Sequence, residues 1–215
     1  MAISTAEART ANEAETKLLH SALVLFSEKG YEGTSIREII EGAGVTRPVL
    51  YYYFANKEDL FRRLVEHQFA QLAANIEEIR NRVVGCKERL RAIICQEFLL
   101  AEEHPEVVRL ILQVFFSLPL QGPSLDKGRL AHMRFRLLEE IMREGLDRRE
   151  LSGGDAKSLA LVFMGVMDMH IMAKSNRPEI TLTPALGHEL VDFFCIAGAH
   201  RESPLTHLVS PYAAL

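Results

Sequence analysis

Apolar residues recur every three or four positions along nearly all of this chain, and no stretch alternates apolar and polar residues for long enough to make a strand. The first run, from about Glu13 to Lys29, places Leu18, Leu19, Ala22, Leu23, Leu25 and Phe26 on one broad face and is ended by Gly30. A short second helix is predicted to start at Ile36, because Ser35 and Glu38 form a capping box. It ends at Gly44, which tolerates the left-handed backbone of a helix stop. Thr46 then offers a second cap, and Pro48 sits in a first helical turn where its missing N–H removes no bond, so a third helix follows from Arg47 to Phe54. Asn56 and Asp59 cap a fourth helix, whose pattern runs unbroken through Leu60, Leu64, Phe69, Leu72 and Ile76 to about Val83. Five further helical runs are expected over 87–103, 106–118, 125–144, 155–174 and 184–199, separated by proline and glycine breaks.

The predicted fold class is therefore all-α. An N-terminal three-helix helix-turn-helix domain covers 13–57, a larger helical domain covers 58–200, and helix 56–83 joins the two. Residues 1–12 read as a flexible N-terminal arm, and 201–215, where the period is lost, as an irregular tail. The third helix carries the chemistry of a DNA reader. Leu50 and Phe54, one turn apart, point inward and leave Arg47, Val49, Tyr51 and Tyr52 on the outer face. Arginine pairs with guanine in the major groove, valine touches a thymine methyl, and tyrosine hydroxyls reach phosphates or base edges. Tyr53 reads equally well as part of a small aromatic core.

Composition bounds the alternatives without carrying the argument. The 215 residues, 48% apolar, suffice for a small domain plus a larger one. The net charge of −4 does not advertise nucleic acid, and the stretch from Lys29 to Arg63, with six basic and five acidic residues, reaches only +1. Cys86, Cys95 and Cys195, an odd number without CxxC spacing, read as buried reduced thiols, which places the protein in the cytoplasm. No apolar run is expected to be long enough to cross a membrane. The eight histidines show no HxxxH or HExxH spacing, so no metal is expected. No nucleophile triad, phosphate loop or carboxylate pair is legible, so neither catalysis nor a cofactor is expected. Glu97, Gln113 and His170 read as satisfied core or interface groups, with the alternative that one of them orients a bound effector.

The order from Lys29 to Phe61, KGYEGTSIREIIEGAGVTRPVLYYYFANKEDLF, closely resembles the DNA-binding domain of the tetracycline-repressor-like (TetR/AcrR) family. The resemblance rests on Gly30-Tyr31 after helix one, Thr34-Ser35-Ile36 opening helix two, Ala43-Gly44-Val45 in the turn, Leu50 to Phe54, and Lys57-Glu58-Asp59-Leu60 opening helix four. It covers about a quarter of the chain. Two departures stand out. Ile40 occupies a position where the family usually has alanine, which should push two helices slightly apart, and Arg47-Pro48-Val49 replaces smaller or polar residues.

The resemblance implies a homodimeric transcriptional regulator acting on a near-palindromic operator in double-stranded DNA, most often a repressor released by a small, largely apolar effector. Arg47, Pro48, Val49, Tyr51 and Tyr52 would read bases, with Ser35, Arg37, Thr46, Tyr53 and Lys57 at the backbone or groove edge. Its second domain would hold a cavity between long helices, for which Phe98, Phe115, Phe116, Met133, Met164 and Met167 are the candidate lining. The last two major helices, apolar nearly all round, would pair with their mates in a four-helix bundle, with Val166, Leu190 and Phe194 at the contact. The alternatives are an activator of the same family, and an all-α enzyme or scaffold that retains the helix-turn-helix.

Overall fold

The computed structural model describes residues 5–116, 123 and 125–199, with the side chains of 5–12, 116 and 197–199 outside that description. The expected irregular tail, 201–215, lies outside the described residues, as do the first four positions of the arm. Among the described residues the structure is helical throughout, with no strand: α1 (Thr5–Lys29), α2 (Ile36–Ala43), α3 (Arg47–Tyr53), α4 (Lys57–Arg82), α5 (Cys86–Glu103), α6 (Pro105–Phe116), α7 (Lys127–Asp147), α8 (Ala156–Asn176) and α9 (Pro184–Ala199). The expected order holds, and so do the expected caps at Ser35, Gly44 and Asn56. Ser35 and Glu38 exchange hydrogen bonds, Gly44 stops α2 at φ 64°, and the Asn56 side chain accepts the Asp59 N–H.

One boundary is corrected. The arm expected over 1–12 is helical from Thr5 onward. The run Ala6, Glu7, Ala8, Arg9, Ala11, Glu13, Ala14 is made of strong helix formers, which extend α1 without an apolar face to announce it.

Two cores divide the molecule, and their border falls inside helices. The first gathers Leu18, Ala22, Phe26, Ile39, Leu50, Phe54, Leu60, Phe61 and Leu64 from α1 to α4. It also takes Val107, Leu110 and Val114 from α6 and Leu130 from α7. The second surrounds α5, which packs against α4, α6, α7, α8 and α9, and is filled by residues such as Leu90, Ile94, Phe98, Leu138, Ile141, Phe163 and Met167. Arg80, near the C-terminal end of α4, is clamped to α7 by Glu140 and Glu144, both at 2.6 Å, and Glu144 also holds Arg89 of α5 at 2.6 Å.

Only Cys86 of the three thiols is fully buried. Its pKa is pushed up to about 12, first by burial and then by Glu150, so it is inert. Cys95 and Cys195 are half-buried, which corrects the expectation that all three are enclosed. The expectation about membrane-length segments is also corrected. α8, with 21 residues or ~31 Å of helix, is long and apolar enough to cross a bilayer by length and composition. Its buried residues Ala160, Phe163, Met167 and Ile171 nevertheless form a stripe that packs into the second core.

Gly145 is where α7 passes closest to the start of α5. A Cβ there would stand 2.7 Å from the Cys86 sulfur and 3.0 Å from a Leu151 methyl. Gly145→Ala is therefore expected to destabilise the fold by about 1–3 kcal/mol through overpacking, read as a lower midpoint in chemical or thermal denaturation.

Candidate nucleic-acid interface and effector cavity

A helix of seven residues cannot hold itself in water, so α3 is positioned by its surroundings. Leu50 and Phe54 are both fully buried in the first core and anchor its inner face. At its C-terminal end, Arg63 of α4 donates to the Tyr53 carbonyl at 2.7 Å, lies over the Phe54 ring at 4.8 Å, and pairs with Glu15 of α1 at 2.9 Å. Beneath the turn, α2 is fixed to α1 by the Ser21 hydroxyl, which donates to the Ile39 carbonyl at 2.9 Å. A Cβ on Gly42 would stand 2.5 Å from that hydroxyl, so α1 and α2 touch closely even though Ile40 is larger than alanine.

The outer face of α3 follows the expected pattern. Arg47 and Pro48 are exposed, Tyr51 is 49% and Tyr52 77% exposed, and Val49 is half-buried. Arg47 makes no hydrogen bond or ion pair with any described residue. Thr46 occupies the cap position, but its side chain makes no capping bond and is left exposed. Tyr53 is half-buried against the first core, with the Tyr52 ring edge-on at 4.9 Å.

Two of the expected backbone contacts look different in three dimensions. The Ser35 hydroxyl donates to Glu38 and accepts its N–H, and Lys29 at 2.6 Å together with Ser35 holds the Glu38 carboxyl down at about 2. Lys57 directs its ammonium at the Tyr31 and Thr34 carbonyls, at 2.8 and 3.0 Å, and lies 4.1 Å from the centre of the Tyr31 ring. Ser35 thus caps α2, and Lys57 locks the loop before α2 to the start of α4. Arg37 pairs with Glu41 across open solvent, with 81% and 60% of the two side chains exposed, a contact weak enough to be exchanged.

Between the two cores a cavity of about 240 Å³ is walled by Phe69 and Leu72 of α4, Leu100 of α5, Val108, Ile111, Leu112 and Phe115 of α6, Ala131 of α7, and Met164 and Ile171 of α8. Of the expected lining, Phe115 and Met164 are present. Phe98 and Met167 are instead packed solid in the core, and Met133 is half-buried against it, because the helices meet more tightly around α5 than residue size alone signals. The Phe116 side chain lies outside the described residues.

Three polar residues that complete the wall were missed as a group: Glu97, Arg134 and Asp168. Glu97 alone had been singled out. Its link to Arg134 spans 37 positions, so periodicity within one helix could not reveal it. Burial pushes the Glu97 carboxyl up and Arg134 only partly offsets this. Burial also opposes the charge of Arg134, but Glu97 and Asp168 together outweigh it. Gln113 is satisfied elsewhere, donating from α6 to the Ser27 carbonyl of α1 at 2.9 Å, and the His170 Nδ1–H donates to the Val166 carbonyl at 2.7 Å.

Of the three residues expected at a contact face on the last helices, one is turned inward. Phe194 is 9% exposed and packs edge-on against Phe163, while Leu190 and Val166 are half-buried. Val191 and Phe194 set the inward register of α9, so the outward face carries Phe193 (74% exposed) and Ile196 (61%), with Leu161, Val162 and Met169 exposed on α8.

Comparison with known proteins places this arrangement. Residues 18–64 match the model for bacterial regulatory proteins of the tetR family. The chain is 26% identical over 192 residues to the fatty acid metabolism regulator protein of Bacillus subtilis (strain 168), covering 86% of this chain and 95% of that one. It is 30% identical over 148 residues to the uncharacterized HTH-type transcriptional regulator YezE of the same organism, covering 67% and 76%. The crystal structure of the transcriptional regulator FadR from Bacillus subtilis, in complex with stearoyl-CoA, superposes with a TM-score of 0.71 at 22% identity over 84% of this chain and 97% of that one. With its reader domain matched by the family model and a 30% identical regulator covered over three quarters of its length, the chain belongs to the tetR family of helix-turn-helix transcriptional regulators.

Proposed function

We propose that this regulator is a homodimeric repressor, working in the cytoplasm, that holds a near-palindromic operator through α3 and leaves it when an effector with an apolar chain enters the cavity. One observation carries this reading: α4 and α6 belong to both cores. Leu60, Phe61 and Leu64 of α4 pack under α3, while Phe69 and Leu72 of the same helix wall the cavity. On α6, Val107, Leu110 and Val114 face the reader, and Val108, Ile111, Leu112 and Phe115 face the cavity. An effector that binds a displaced arrangement of these helices better than the resting one moves the readers with them.

In this reading Arg47, Pro48, Val49, Tyr51 and Tyr52 face the bases. Arg37 exchanges Glu41 for a phosphate, Thr46 and Tyr53 flank the backbone, and Ser35 and Lys57 keep α2 and α4 in register. The stearoyl-CoA held by the structurally similar FadR supports a fatty acyl thioester as the effector class. The apolar walls suit an acyl chain, and an adjoining cavity, also of about 240 Å³, shares Val108 and Ile171 and is lined by Arg109 and by the Lys174–Glu102 ion pair at 2.8 Å, so that Arg109 is the cation it offers to a phosphate. Dimerisation is supported by the outward residues Leu161, Val162, Met169, Phe193 and Ile196, an apolar face that a second copy would cover.

Arg47→Ala should cost on the order of 1–3 kcal/mol of operator affinity and relax preference at one position per half-site. Lys57→Ala should weaken all sequences alike and lower thermal stability with the salt slope unchanged, because its ammonium tethers a loop; mobility shifts over a salt series separate the two. Phe193→Glu with Ile196→Glu should leave a folded monomer that no longer shifts operator, whereas Phe194→Glu should unfold the second core. Sedimentation and circular dichroism check both, and a wild type that is monomeric at micromolar concentration refutes the dimer. Stearoyl-CoA titrated with and without operator should show the same factor of mutual weakening in both directions, and identical affinities would mean that cavity and reader are uncoupled.

A further inference from the structure

The polar wall of the cavity constrains what may sit there. Arg134 Nη1 donates to Asp168 Oδ1 at 2.8 Å and Nη2 to Glu97 Oε2 at 3.2 Å, so a single guanidinium already faces two carboxyl groups in one cavity. With all three ionised the cluster carries a charge of −1, from one cation and two anions. Arg134 therefore has no positive charge to spare, and an anionic group arriving here must either displace Glu97 or Asp168 or lie beside them, at the cost of an uncompensated buried charge.

The same residues hold unfinished hydrogen bonds. Glu97 Oε1 and Arg134 Nε are buried and make no hydrogen bond within the protein, one an acceptor and the other a donor. Glu97 is 8% exposed, and the remaining wall is apolar, so no side chain of the cavity completes either bond. A group that donates to the carboxyl and accepts from the guanidinium would satisfy both.

We propose that Glu97, Arg134 and Asp168 form a specificity filter, selecting an effector whose polar group at this wall is uncharged and both donates and accepts, an amide or a hydroxyl attached to an apolar chain, as in the amides beyond the thioester of an acyl-CoA, and rejecting a free carboxylate. This rests on the reading that the cavity is the effector site. Asp168, with 39% of its side chain exposed, keeps Arg134 oriented, while the Glu97 carboxyl and the Arg134 guanidinium line the cavity and, with a small turn of either side chain, bring the unfinished bonds to the ligand.

Chain-matched probes test the filter in the purified protein. Decanamide is expected to bind about tenfold or more tighter than decanoate in calorimetry at neutral pH, since only the anion must be buried against Glu97. Glu97→Gln removes one negative charge while keeping the shape, so decanoate gains and the ratio closes. Asp168→Asn, at a more exposed position, should close it in the same direction and carries the test if Glu97→Gln fails to fold. Equal binding of the two probes to the wild type, or a ratio that both variants leave unchanged, overturns the filter but leaves the cavity as the effector site. If neither probe binds while stearoyl-CoA does, the filter falls and the cavity remains the effector site; if none of the three binds, the effector reading falls with it.

Discussion

A recognition helix of seven residues is held in place only by what packs beneath it. Leu50 and Phe54 bury completely, each contributing about 1.5–3 kcal/mol of apolar burial, and Tyr53 adds a half-buried contact with the first core. The remaining restraint is polar and comes from outside the helix: Arg63 on the Tyr53 carbonyl, and the Ser21 and Thr34 hydroxyls bonded to backbone carbonyls around α2. The outer face is thereby freed of structural duty. Arg47 and Tyr52 can extend into solvent because the fold makes no demand on them, whereas Lys57 and Ser35, a few residues away, cannot.

That dependence also sets how the reader communicates. Were the first core closed within α1 to α3, the second could rearrange without consequence. Instead α4 passes through both cores and α6 lies between them, so that adjacent residues such as Val107 and Val108 face opposite sides. Gln113 adds a directed bond from α6 to the Ser27 carbonyl of α1. The ion pairs of Arg80 with Glu140 and Glu144 fix the far end of α4 to α7, so in the proposed switch α4 would tilt about that clamp and move most where it meets α3.

Elements and caps were legible in the sequence because they are local. A capping box, a left-handed glycine and a 3.6-residue period each act within a few positions, and Ser35, Gly44 and Asn56 behave as they read. What stayed hidden depends on contacts far apart in the chain. Phe98 and Met167 have the size and softness of pocket residues, yet neighbours on other helices fill the space around them, while the smaller Val108 and Ala131 line the void. The inward turn of Phe194 has the same origin. On a helix apolar all round, periodicity does not say which stripe faces the chain's own core, and the answer came from Phe163 on α8. Lys57 looked like a free cation because its partners are backbone carbonyls 26 and 23 residues earlier, which no side-chain pattern records.

The absence of a polar stripe on α8 follows from its having three neighbours rather than one. Phe163, Met167 and Ile171 fill the second core, Met164, Asp168 and Ile171 wall the cavity, and Leu161, Val162 and Met169 face outward. A helix serving only a core could afford charges on its open side, and one crossing a bilayer would not place Asp168 against Arg134. In the proposed dimer, Asp168 and Met169 are consecutive residues facing an effector and a partner subunit, so a ligand that displaces α8 strains the subunit contact as well as α6. Operator affinity depends on the spacing of two readers. The proposed dimer would therefore have two routes from the same cavity to that spacing, one through α4 and α6 within a subunit and one through α8 between subunits.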